Sequence, residues 1–312
     1  MKKLLSVILT IVLILALTLS VSCAKAEPVA TSSTTDATVQ TAERTPRVRK
    51  DLENIAETER AGVFTCTYDG ESCNFVVCLP EECGENTPLV VMLHGFPGTG
   101  EGMKTDTHFD EAACPRGYAI VYATSPSGWN SLMKTDPTDD IGYIEALTEY
   151  VRAEYGLSKN LAFAAGFSNG AFMTQYLAVD SAETFSAVAC VAGMMPKKVW
   201  EMRSERANIG VLDICGTKDD VVPQNRNDTA KTSPNPAIEV VMEYWVEANG
   251  LDKSETSALS EAAELTKYTG GDGENQVWTV VIEDGRHSWP TEKTAGFDAN
   301  ALILDFFDTY RE

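Results

Sequence analysis

A doubly wound α/β architecture with a mostly parallel sheet is what the order of apolar patterns in this chain predicts. Short, nearly continuous apolar runs recur at residues 75–79, 89–93, 119–123, 161–165, 187–191, 209–214 and 277–282. Stretches with helical spacing lie between them, so each strand is followed by a crossover and both sheet faces are covered.

The elements follow in order. The runs at 75–79 and 89–93 lead into a glycine-rich loop, His94-Gly95-Phe96-Pro97-Gly98-Thr99-Gly100. Residues 140–155 carry apolar side chains at Ile141, Ile144, Leu147 and Val151, the spacing of one helix face, with Asp139-Asp140 placed to cap its positive end. The run at 161–165 passes through a tight turn into a helical stretch at 171–178. After the runs at 187–191 and 209–214, residues 238–248 and 301–310 repeat the helical pattern behind polar starts.

The N-terminus reads as a targeting device. Lys2 and Lys3 precede an apolar run, residues 4–21, which is excluded from the fold. Leu19-Ser20-Val21-Ser22-Cys23 resembles a relaxed bacterial lipobox, in which Cys23 would be lipidated. Ser20 and Ser22 depart from that pattern, Ala24-Lys25-Ala26 offers an ordinary cleavage site, and the run is borderline for spanning a bilayer. Lipid anchoring, free secretion and a retained span all stay open. Either of the first two places the protein outside the cell or at its surface. Residues 1–23 are thus expected as a signal peptide, 24–54 as a Thr/Ser/Ala-rich tether and 55–312 as one folded domain.

Of the 312 residues, 44% are apolar, enough for a large core, and the formal net charge is −21. Nucleic acid and anionic membrane surfaces are excluded as partners, because like charge repels them over a Debye length. A membrane contact is expected only through a lipid on Cys23.

The run Gly166-Phe167-Ser168-Asn169-Gly170 sits between an apolar strand and a helix. Glycines two residues either side of Ser168 allow the sharp turn that lifts a serine out as a nucleophile. A serine hydroxyl needs an imidazole to take its proton and a carboxylate to orient that imidazole. Of the three histidines, His94 and His108 precede Ser168, whereas His287 follows the last strand and suits the order serine, acid, histidine. Asp219 and Asp220 leave the run at 209–214 after Gly216; Asp219 is the favoured acid and Asp220 the alternative. Backbone N–H groups of Asn169 and Phe96, with Gly95 as fallback, are the expected oxyanion donors. His94 is read as bracing its loop. Trp289 and Trp129 are candidates for stacking on substrate.

These motifs resemble the α/β-hydrolases grouped as the polyhydroxybutyrate depolymerase and feruloyl esterase family, related to carbohydrate esterase family 1. The resemblance rests on Leu93-His94-Gly95, Asp139-Asp140-Ile141-Gly142-Tyr143, the Ser168 motif, Gly216-Thr217 with Asp219 and Val222-Pro223, and His287 with Trp289-Pro290. Cys215 and Arg286 depart from it, which leaves the pocket shape open. It implies an α/β-hydrolase fold and a Ser168, Asp219, His287 triad acting on carboxylic esters without metal or organic cofactor. The expected substrates are feruloyl or acetyl esters of plant polysaccharide, with polyhydroxyalkanoate as the alternative. A serine peptidase and a noncatalytic glycan binder of the same fold are further readings. Seven cysteines follow Cys23; those from Cys66 to Cys83 could staple the N-terminal strands, while Cys190 and Cys215 read as core residues.

Overall fold

The apolar runs do become the strands of one sheet. A computed structural model describes residues 50–135, 138–224, 234–271 and 273–311, all in one compact unit. The expected signal peptide, Cys23 and nearly all of the tether lie outside the described residues. Among the described residues no helix is long and apolar enough to cross a membrane.

In chain order the strands are β1 (Glu53–Glu57), β2 (Val63–Tyr68), β3 (Glu71–Cys78), β4 (Leu89–Leu93), β5 (Ala119–Thr124) and β6 (Ala162–Phe167), followed by β7 (Ala187–Val191), β8 (Gly210–Gly216), β9 (Lys253–Ala258), β10 (Ala263–Thr269) and β11 (Val277–Ile282). Their spatial order is β1-β2-β3-β5-β4-β6-β7-β8-β11-β10-β9. The six strands from β5 to β11 in that order run parallel, and the ribbons at both edges are antiparallel. Six of the seven predicted runs form the parallel block, while the first, at 75–79, falls in β3 and pairs antiparallel on both sides. The edges extend it, and β1 begins inside the segment expected to be tether.

The helices are α1 (Gly100–Thr107), α2 (Phe109–Ala113), α3 (Asp140–Tyr155), α4 (Asn169–Asp180), α5 (Lys197–Met202), α6 (Ile238–Ala248), α7 (Glu292–Ala295) and α8 (Ala299–Asp308). Strand side chains alternate between two cores. Leu89, Val91 and Leu93 face one with α3, α4 and α6, whereas Val90 and Met92 face the other with α1, α2 and α8. Phe306 and Phe307 on α8 are fully buried; each such side chain contributes about 1.5–3 kcal/mol.

Helix ends are fixed by local chemistry. The Asp139 side chain accepts the Gly142 N–H at 3.0 Å, and α3 stops at Gly156, whose φ of 62° favours glycine. Asp140 does something else: its Oδ2 accepts the Asn130 N–H at 2.7 Å and the Thr138 hydroxyl at 3.2 Å, tying the loop after β5 to the helix. Cys66 and Cys73 face each other across β2 and β3, both buried and unbridged.

Candidate active site

Three loops at the carboxyl ends of the parallel strands converge here, the end where open α/β sheets bind ligands. Ser168 sits between β6 and α4 with φ 53° and ψ −115°, a left-handed conformation costing about 1–3 kcal/mol for a non-glycine residue. Close packing holds it there. A Cβ on Gly166 would lie 2.4 Å from the Gly170 carbonyl, and one on Gly170 would lie 2.0 Å from the Leu93 oxygen. Only glycine at both positions lets the turn fold back onto β4.

The Ser168 hydroxyl lies 3.0 Å from His287 Nε2, and His287 Nδ1 lies 2.7 Å from Asp219 Oδ2. The structure therefore brings these three expected residues into one hydrogen-bonded chain. Asp219 has a fully buried side chain whose Oδ1 accepts the N–H groups of Val221, at 2.9 Å, and Val222, at 2.7 Å. Asp220 is exposed and takes no part in that chain.

The acid and histidine loops are stitched backbone to backbone. Thr217 N–H donates to Ile282 O and Lys218 N–H to Gly285 O, each at 2.9 Å. A Cβ on Gly216 would come within 2.3 Å of the Gly285 oxygen, so the two loops touch where neither has a side chain. Sequence reasoning did not find this glycine pair, nor Phe167, whose ring packs on the His287 imidazole at 4.9 Å between centroids. Neither carries a signal beyond its place beside a functional residue.

The loop after β4 lies against the serine, since a Cβ on Gly95 would sit 3.4 Å from Ser168 Cβ. Asn169 opens α4, and the first N–H of a helix has no carbonyl partner within it. His94 is buried, with its Nδ1–H donating to Gly95 O at 2.7 Å and its Nε2 accepting the Ser125 N–H at 3.1 Å. Burial holds its pKa below the usual histidine value. It braces two loops, as its sequence position suggested.

Trp129 is 1% exposed, stacks on Tyr143 and donates from its indole N–H to His94 O at 2.9 Å, so its ring supports the loop, while the residue also belongs to the lining of a cavity at Ser168. Its backbone is held from the other side, where Asn169 Oδ1 accepts the Trp129 N–H at 2.8 Å. Trp289 is half-buried, with its indole N–H on Asn300 Oδ1, and lines a cavity beside the serine.

Two cavities meet at Ser168. One, of about 520 Å³, is walled by Met133, Phe172, Met194, Val222 and Pro223, with Lys134 among its lining. The other, of about 460 Å³, is lined by His287, Trp289, Met103 and Asp106. Phe96 and Val221, 62% and 65% exposed, border both.

Residues 73–243 match the phospholipase/carboxylesterase family. NocK of Nocardia uniformis subsp. tsuyamanensis, a protein named as an esterase, is 27% identical over 301 residues, covering 87% of this chain and 86% of NocK. Acetylxylan esterase A of Aspergillus awamori is 27% identical over 125 residues, 38% of this chain and 41% of that protein. Feruloyl esterase B of Thermothelomyces thermophilus is 24% identical over 126 residues, 38% of this chain and 43% of that protein. The chain thus matches less than half the length of these two relatives. A solved acetyl xylan esterase from Aspergillus awamori superposes with a TM-score of 0.57 at 16% identity, covering 76% of this chain and 94% of that one. That likeness establishes the α/β-hydrolase fold.

Proposed function

Since the chain belongs to the phospholipase/carboxylesterase family, we propose that it is an exported serine esterase that removes feruloyl or acetyl groups from plant polysaccharide through an acyl-enzyme. The observation that carries the reading is the unbroken contact from Ser168 Oγ through His287 to buried Asp219. The names of the acetylxylan and feruloyl relatives support the substrate class, and the basic, then apolar, N-terminus supports export.

In this mechanism Asp219 fixes the His287 proton on Nδ1, leaving Nε2 free to accept the serine proton. Ser168 Oγ attacks the ester carbonyl carbon, and the electron pair of the C=O bond moves onto its oxygen. Asn169 and Phe96 N–H groups receive that oxyanion; each such donor is worth about 3 kcal/mol. As the intermediate collapses, Nε2–H protonates the departing alcohol oxygen. Water then repeats the sequence on the acyl-serine and releases the acid.

Replacing Ser168 by Ala tests the reading. Turnover of methyl ferulate, acetylated xylan and a hydroxybutyrate oligomer is compared, with fluorophosphonate labelling of the folded protein. Loss of all turnover and labelling in S168A is expected. Retention of most activity removes the proposed nucleophile, and an unlabelled wild type favours a glycan binder.

A further inference from the structure

The two cavities at Ser168 differ in one respect that assigns them roles. The departing alcohol must receive its proton from His287 Nε2, so it has to leave through the cavity that His287 lines. The acyl group then occupies the other cavity, which Ser168 and Asn169 line and His287 does not. At about 520 Å³ with mostly apolar walls, that space far exceeds an acetyl group.

Among the described residues its one cationic lining residue is Lys134. The ammonium is half-buried and held in place by donating to Ser127 O, at 2.6 Å, and to Gly128 O. An ammonium has three N–H donors, and among the described residues these two carbonyls engage two of them. Among the described residues no carboxylate lies within ion-pair distance of it. Asp140 feels its charge, but the carboxylate oxygen there is engaged by the Asn130 N–H and the Thr138 hydroxyl. A cation anchored to two carbonyls in a mostly apolar pocket is built to receive an oxygen acceptor.

We propose that Lys134 is the specificity-determining residue of the acyl site, selecting acyl groups with an apolar body and an oxygen acceptor at the end remote from the ester, a carboxylate above all. This assignment rests on Ser168 being the nucleophile. It ranks acetyl low, because a two-carbon acyl group ends beside the serine. Phenolic and methoxyl oxygens of an aromatic acyl group rank higher, and the half-ester of a dicarboxylic acid ranks highest.

The test compares p-nitrophenyl hexanoate with the p-nitrophenyl half-ester of adipic acid, which have equal chain lengths and differ only in the terminal carboxylate. At about 0.15 M salt, where the Debye length is about 8 Å, the remaining surface charge is largely screened. The ratio of kcat/KM values, adipate over hexanoate, is expected to fall about tenfold or more from wild type to Lys134→Met and to recover substantially in Lys134→Arg. Because it is a ratio within one protein, partial misfolding cancels from it. Shorter and longer half-esters should show an optimum chain length that reads the span from Ser168 to Lys134. An unchanged ratio in Lys134→Met overturns the assignment while leaving the esterase reading intact. Wild-type protein that cleaves neither ester overturns both.

Discussion

Asp219→Asn separates orientation of the imidazole from its mere presence, and the structure says which way the new amide must face. Oδ1 of Asp219 accepts two backbone N–H groups, from Val221 and Val222. Only the oxygen of an asparagine can replace it, so the NH2 group is turned toward His287. There it would donate to Nδ1, displacing the imidazole proton to Nε2, the atom facing Ser168 at 3.0 Å. An Nε2–H donates to the hydroxyl and cannot accept its proton. Misplacing the proton in this way costs about 10⁴-fold in kcat, or about 5 kcal/mol of barrier. The loop itself should survive, because both backbone bonds keep an acceptor. We therefore predict a fall of about 10⁴ in kcat on a chromogenic ester, with a thermal midpoint within a few degrees of wild type. Asp220→Asn, at the exposed neighbour, should stay within about threefold. More than about a tenth of wild-type kcat in Asp219→Asn would falsify the role given to this carboxylate.

Gly216→Ala places a methyl 2.3 Å from the Gly285 oxygen. Pushing the two loops apart by about 1 Å should lower kcat/KM by about 10²-fold, and kinetics equal to wild type would show that the glycine contact does not set the position of His287. His94→Ala leaves the buried Ser125 N–H and Gly95 O without partners, at about 1–3 kcal/mol each. Urea unfolding reads the loss, and an unchanged midpoint would contradict the bracing role. Burial also holds the His94 pKa below its unfolded value near 6.5. The unfolded chain then binds a proton that the folded one refuses, so this residue's contribution falls as pH drops below about 6.5. The wild-type stability slope in that window should flatten in His94→Gln; an identical slope would rule this residue out as its source.

Legibility tracked burial. The parallel strands could be read because both faces are covered and their sequences are apolar throughout, as in Leu89–Leu93. Helix α3 was readable from its apolar stripe and its Asp139-Asp140 start. The edge strands carry no such signal. Lys253–Ala258 is exposed at every position and is a strand only because β10 pairs with it in register. Glu53–Glu57 is mostly exposed too, which is why it looked like tether.

The same logic separates the residues of the site. His287 is one of only three histidines, and Ser168 and Asp219 sit at punctuated strand ends, so rarity and spacing could bring them forward. How Trp129 sits could not be read from spacing, because a tryptophan's packing is decided by its neighbours, here His94 and Tyr143. Lys134 went unnoticed because one lysine in a loop looks like any solvated charge until the cavity around it is seen.

The parallel pairing of β11 with β8 has a bearing on when the protein acquires its reactivity. Ser168 and His287 are 119 residues apart, and the imidazole lies beyond the last strand of the sheet. A chain emerging from the ribosome therefore carries its serine long before it owns a base, and a lone hydroxyl is inert toward esters. In the proposed mechanism, ester cleavage is thus withheld until the distal strand has been made and has docked.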